Sequence, residues 1–316
     1  MIQYTEKIRE IAKRLLQENK VDVFIGYQKG TVAMMNQPVL IRDPDQVDLL
    51  HWDSHCGLNL CNYLTRRTDK IGILATGCNS RNIVTHIIEN QIKREQLYIV
   101  GIPCTGMIDH RGVMRTVKQR HILDVLEDGD TFTVKGIDFE ETFNKKDFLQ
   151  NNCASCLQRN PVEYDELVAD KVEEQKEVER FKDIMSTEKM EPERRWGFFT
   201  RLISRCLRCY ACRNSCPLCY CPTCFVDESR PQWVGKSNEP TDTMTFHFLR
   251  AYHCAGRCTD CGACERVCPV GIKMRQFTKK LNKDALELFS WEAGLTLDKR
   301  PPLDVYRPDD YNDFIR

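Results

Sequence analysis

Nowhere in its 316 residues does this chain hold an apolar run of the ~20 residues that crossing a bilayer takes, and its mean hydropathy is −0.48. No transmembrane segment is expected. It also lacks net charge, with 46 acidic and 46 basic side chains, so no basic footprint points to nucleic acid. The first residues, MIQYTEKIRE, contain no signal segment; a reducing, cytoplasmic setting is expected and disulfides are disfavoured. No glycine-rich dinucleotide fingerprint is present. The seven histidines form no ligand pair at helical spacing, and each reads as structural. Against these absences stand 18 cysteines, far more than a cytoplasmic chain of this length needs unless its thiols bind metal.

Eight of them form a repeat. Cys206, Cys209, Cys212 and Cys216 are separated by two, two and three residues with Pro217 behind, and Cys258, Cys261, Cys264 and Cys268 repeat the intervals before Pro269. This is the spacing that wraps a cubane iron–sulfur cluster. In a two-cluster ferredoxin the fourth cysteine of each run ligates the other run's cluster. The expected sets are therefore Cys206, Cys209, Cys212 with Cys268, and Cys258, Cys261, Cys264 with Cys216. Disulfides or paired zinc sites are the alternatives, and neither requires a doubled spacing with a trailing proline.

Residues 2–17 carry the stripe of an amphipathic helix through Ile8, Ile11, Ala12, Leu15 and Leu16. Val21–Ile25 reads as a short strand, and the turn GYQKGT after it offers Lys29 to a phosphate. A helix capped by Asp43 is expected over Pro44–Leu50 and another over Asn59–Arg66. The clearest unit is strand Ile71–Thr76, helix Asn79–Asn90 and strand Leu97–Ile102, which implies a right-handed crossover and parallel pairing. Cys78 and Cys104 leave those two strands at the carboxyl edge of the sheet, where open α/β folds place their ligands. After a strand over Thr131–Lys135, Cys153 and Cys156 supply a close pair. These four thiolates could converge on a third cluster; a redox dithiol at Cys153 and Cys156, or plain buried thiols, are the alternatives.

The charged stretch 162–195 reads as a linker between an α/β domain over 1–161 and a mostly helical dicluster ferredoxin domain over 196–290. In the latter, Trp196, Phe198, Phe199, Leu202 and Ile203 form a face to cover a cluster. Helices are expected over Thr241–Tyr252, with Met244, Phe248, Leu249 and Tyr252 as its apolar residues, and over Ile272–Phe289. Residues 291–316 read as an extended arm. Cys219, Cys221, Cys224 and Cys254 remain unassigned, as buried neighbours of a cluster or ligands of a further metal, and Cys56 and Cys61 are unassigned as well.

Together, KVDVFIGYQKGT, ILATGCNSRNIV, YIVGIPCTGM, CASC and CLRCYACRNSCPLCYC resemble the beta-subunit family of the deazaflavin (coenzyme F420)-reducing hydrogenases and formate dehydrogenases, from about Lys20 to Val270. The helical second half is similar to the small iron–sulfur subunit of heterodisulfide reductases. The resemblance implies a cubane on Cys78, Cys104, Cys153 and Cys156, and an FAD that exchanges hydride chemistry with single electrons. Lys29, Asn79, Ser80 and Arg81 are the candidate pyrophosphate contacts. This chain departs from the family in a shorter N-terminal entry without a glycine-rich first helix. The function expected is an iron–sulfur electron-transfer subunit of an anaerobic oxidoreductase complex, whose partners are the other subunits of that complex. The competing expectations are a self-sufficient flavoenzyme acting on deazaflavin or nicotinamide, and a metal-stapled scaffold without redox work.

Overall fold

The computed structural model describes residues 2–176 and 178–302; most of the C-terminal arm, 303–316, lies outside the described residues. The first half is built on a five-stranded sheet of order β2-β1-β3-β4-β8. Helix α1 (Ile2–Gln17) lays its Ile8, Ile11, Ala12 and Leu15 stripe on the core. Strand β1 (Val23–Gln28) starts later than its sequence suggests and runs through Gly26 and Tyr27, which the turn reading had placed in the loop. It pairs antiparallel with β2 (Gln37–Ile41), an edge strand with Ile41 alone buried and so no clear sequence signal. The helices expected near Pro44 and Asn59 are single 3-10 turns, Pro44–Leu49 and Leu60–Tyr63, with Asp43 and Asn59 as side-chain caps.

Strands β3 (Ile71–Ala75) and β4 (Leu97–Gly101) flank helix α2 (Gly77–Ile88) and pair parallel, Ile71 opposite Leu97 and Ala75 opposite Gly101. Every residue of β3 is buried, as a strand covered on both faces must be. The helix begins two residues before Asn79, so Cys78 belongs to its first turn. Next, α3 (His110–Thr116) and the antiparallel strands β5 (Ile122–Asp128), β6 (Thr131–Gly136) and β7 (Glu140–Asn144) make a separate small layer around Val113, Val117, Phe132 and Val134. The single strand expected at Thr131 is the middle of that sheet.

A one-turn helix α4 (Asn151–Ala154) presents Cys153. The stretch read as a linker has structure: β8 (Glu166–Leu167) pairs parallel with β4, and α5 (Lys182–Glu188) docks its acids on Lys279, Lys280 and Lys283. Its charges are largely paired, which is why it looked like linker in the sequence.

From 192 to 302 the described residues are helices and loops alone: α6 (Pro192–Ile203), α7 (Ala211–Asn214), α8 (Pro240–His253), α9 (Ala263–Arg266) and α10 (Arg275–Phe289). On α6, Ile203 is buried and Phe199 meets Phe277 edge to face, while Trp196 lies against Phe199 but is 60 % exposed. On α8 the apolar residues picked from sequence lie partly outside: Phe248 and Tyr252 stack on each other at the surface, each 52 % exposed. No helix among the described residues is long and apolar enough to cross a membrane.

Candidate iron–sulfur centres

The two cysteine runs fold alike. In the first, Arg208 and Tyr210 on either side of Cys209 have left-handed backbones, φ 49° and 58°; in the second, Asp260 and Gly262 on either side of Cys261 match them at 60° and 75°. For non-glycine residues this conformation costs about 1–3 kcal/mol each, so it persists only where the surroundings fix it. Two such residues two positions apart curl the chain around the cysteine between them. Each run then enters a one-turn helix, α7 or α9, and the two helices pack together.

That packing brings the runs within each other's electrostatic reach. The thiols of Cys206 and Cys212 lie in the fields of Cys209 and Cys268, whereas Cys264 lies in those of Cys216 and Cys261. Cys268 thus lies near Cys206 and Cys212 of the first run, and Cys216 near Cys264 of the second. Backbone N–H groups aim at the sulfurs: Arg208 N lies 3.4 Å from Cys206 Sγ and Ile272 N 3.2 Å from Cys268 Sγ. Such donors favour thiolate over thiol. All 18 cysteines are free. Among the described residues no three His, Cys, Asp or Glu side chains stand close enough to share a single metal ion. A cube holds its four outer sulfurs farther apart than one ion does, and the donor set of each group is the all-cysteine set a cubane takes.

A third group of thiols lines a cleft of about 800 Å³, part of it open to solvent. Cys78 comes from the first turn of α2, where the helix end favours a thiolate; Cys104 comes from the loop after β4, and Cys153 and Cys156 from α4 and beyond it. Gly77 lets the segments meet, since a Cβ there would stand 2.0 Å from the Gln158 carbonyl oxygen. Gln175 Nε2 ties the pair by donating to the Cys153 and Cys156 carbonyls at 3.1 and 2.8 Å. Burial, and then its neighbour Cys153, pushes the Cys104 thiol up to about 12. Burial, followed by Cys261, also raises the Cys78 thiol well above its usual range. Four such thiols cannot ionise together without a compensating cation, which is the service a bound metal performs.

Sequence reasoning missed that this cleft is shared. Cys261 of the second run lines it beside Cys78, with Thr259, Asp260 and Arg266. Thr259 Oγ1 is 3.4 Å from the Cys78 carbonyl, and Gly262 leaves room for Asn152, whose Oδ1 would stand 2.4 Å from a Cβ. More bonds clamp the halves: Asn62 Nδ2 to Ser215 O at 2.9 Å, His86 Nε2 to Pro217 O at 2.8 Å, Arg81 Nη2 to Ala293 O at 2.7 Å, and Arg111 to Cys268 O. No sequence pattern announces such contacts between segments so far apart.

The residues named for a flavin do not assemble into a pyrophosphate site. Lys29 is exposed and does not line the cleft. Ser80 is fully buried, its hydroxyl bonded to Gly77 O and to Val162 N. Asn79 and Arg81 do line the cleft, but Arg81 is engaged by Glu292 at 3.0 Å as well as by Ala293 O.

The leftover thiols do not form a site of their own. Cys216, Cys219 and Cys254 hydrogen-bond one another, Cys221 is exposed, and Cys224 packs on the helical core. Cys56 accepts from Asn36 Nδ2 at 3.2 Å, and the Cys61 thiol donates to Asn79 O at 3.3 Å. Of the histidines, His247 was undervalued: it is 2 % exposed with Nε2 3.2 Å from Cys206 Sγ.

The fold and its cysteine geometry define an iron–sulfur protein of the dicluster type. Residues 202–272 match the family of 4Fe-4S dicluster domains, so the chain carries such a domain. Nearly the whole chain is similar to two beta subunits. It is 22 % identical to the F420-dependent formate dehydrogenase subunit beta of Methanocaldococcus jannaschii, over 94 % of this chain and 93 % of that one. With the F420-dependent formate dehydrogenase 1 subunit beta of Methanococcus maripaludis it shares 22 % identity over 93 % and 92 %. The resemblance noted in the sequence therefore extends end to end. Among solved structures, the F420-reducing [NiFe] hydrogenase complex from Methanosarcina barkeri matches with a TM-score of 0.39 and 15 % identity, over 48 % of this chain and 58 % of the other.

Proposed function

We propose that this chain is an iron–sulfur electron-transfer subunit of a cytoplasmic, anaerobic oxidoreductase complex, linking a catalytic subunit of formate dehydrogenase, hydrogenase or heterodisulfide reductase type to a second carrier. The observation that carries the proposal is the shared cleft, where Cys78 of the α/β half and Cys261 of the helical half face the same space. Three cysteine groups follow one another: Cys78, Cys104, Cys153 and Cys156; then Cys258, Cys261, Cys264 and Cys216; then Cys206, Cys209, Cys212 and Cys268. When bound, cubanes held by four thiolates each supply a one-electron couple. The chain's own residues set the spacing, keep the middle group's thiols partly buried and leave Cys209 exposed at the far end. A relay needs an accessible terminus, and Cys209 supplies one. FAD has no assembled site among the residues named for it, and no part of the proposal rests on it.

Anaerobically purified protein should hold roughly twelve irons per chain, four for each cubane. Cys261→Ser should abolish electron flow between partners while sparing turnover of the catalytic subunit with an artificial dye. Undiminished flow in that variant would remove the relay from the proposal, and an iron content near zero would remove the clusters.

A further inference from the structure

Helix α8 buries a polar stripe next to its apolar Phe246 and Ala251. Thr243, His247, Arg250 and Cys254 recur at the spacing of one helical face, and that face is buried, each residue 2–4 % exposed, while Phe248 and Tyr252 meet solvent. A polar stripe is buried only where something polar faces it. Here it lies between the two cysteine runs of the helical half.

Arg250 is the singular member. The other arginines buried to a similar degree each have a carboxylate: Arg81 has Glu292 at 3.0 Å, Arg208 has Asp242 at 3.9 Å, and Arg275 has Asp260 at 2.5 Å and Glu265 at 3.6 Å. Among the described residues no carboxylate pairs with Arg250. Its Nη2 donates to the Cys212 carbonyl at 3.0 Å, and its Nε is buried without a partner. The cavity it lines is bounded by Cys216, Cys254, Cys258, Cys261 and Cys264. A guanidinium keeps its charge in a protein interior. A buried cation with no anion is strongly disfavoured, so the site is completed only by negative charge inside the ring of sulfurs. A cubane with four thiolates is net negative whether oxidised or reduced, and gains one further negative charge on reduction.

Resting on the ligand sets proposed above, we propose that Arg250 is the built-in counter-charge of the inner group, Cys258, Cys261, Cys264 and Cys216. It is a positioning residue that makes this group easier to reduce than the outer group of Cys206, Cys209, Cys212 and Cys268. Electrons entering the helical half from either end then settle at the middle of the relay.

The test is a redox titration of the anaerobic full chain followed by electron paramagnetic resonance, with signals assigned from Cys261→Ser and Cys209→Ser. In Arg250→Met the reduced-to-oxidised ratio of the inner group at fixed poise should fall at least tenfold, about 59 mV in midpoint for a one-electron couple. The outer group should move less, and Arg250→Lys should stay near wild type because it keeps the charge. Should Arg250→Met lose the inner group's iron while Arg250→Lys keeps it, the charge is needed even to assemble the group, and the proposal stands. Equal shifts of both groups, an unchanged inner midpoint in loaded Arg250→Met, or iron loss in both variants would overturn it in favour of packing. A wild-type chain without cluster signals would instead sink the electron-transfer reading, a result distinguishable from all of these by iron content alone.

Discussion

The two halves of this molecule hold themselves together by different means. The α/β half buries a continuous apolar cluster of thirty residues around β1, β3 and β4, whereas the helical half buries seven, two of them the cysteines Cys212 and Cys268. Apolar burial stabilises by about 25 cal/mol per Å², so the first half has ample reason to fold alone and the second has little. Small domains with thin cores rely on metals or cross-links. On the ligand sets proposed above the thiol groups of the helical half would do this, where His247, Arg250 and Cys254 occupy buried positions. The site of electron handling and the source of stability coincide in one half and are separate in the other.

Removing iron with a chelator should break this comparison open most widely. Amides of 206–268 should lose protection from hydrogen exchange, while those of β1, β3 and β4 stay protected. Retained protection in both halves would show that the helical core suffices by itself. The converse perturbation is Ile73→Ala in the fully buried centre of β3, which should cost the α/β half about 2–5 kcal/mol in denaturant unfolding and leave the paramagnetic signals of the helical half unchanged.

Asp53 sharpens the picture with pH. Burial raises its carboxyl pKa, but the hydrogen bond from His51 and the field of His55 outweigh that and hold it at about 2, below its usual 3.8. A group with a depressed folded pKa stabilises above its unfolded value and loses that contribution as pH falls from about 4 to about 2. Asp53→Asn should therefore cost the α/β half about 2 kcal/mol at neutral pH, at 1.36 kcal/mol per pKa unit, with the difference from wild type vanishing near pH 2. The mildest effect is expected of His247→Leu, which deletes a hydrogen bond to Cys206 Sγ. The outer group's midpoint should fall, by less than Arg250→Met lowers the inner one, at full iron content, and a redox titration would show whether it does.

Much of this was legible in the sequence where local pattern and tertiary role agree. The Ile71, Gly77 and Leu97 unit reads correctly because a buried parallel strand is apolar throughout and an intervening helix has its own period. The cysteine runs are legible because cluster chemistry dictates spacing. What escaped were features decided by neighbours far along the chain. Edge strand β8 has two residues and no pattern, and pairs only because β4 offers it an open edge. On α8 the pattern misled, since the helix buries Thr243, His247 and Arg250 beside Phe246 and leaves Phe248 and Tyr252 outside. Lys29 drew notice as a loop lysine after a strand, but the strand turns into the β1–β2 hairpin and carries it away from the cleft.

The ligand sets proposed above, with fourth cysteines exchanged between the two runs, would also impose a timetable on manufacture. During synthesis, Cys78, Cys104, Cys153 and Cys156 all emerge from the ribosome ahead of the helical half, so their group is open to loading while that half is unmade. On those sets the inner group waits for Cys264 and the outer group for Cys268, so iron delivery to the helical half comes late, and a chain truncated between the two would forfeit one corner of the outer cube and, with it, the end of the relay that meets solvent.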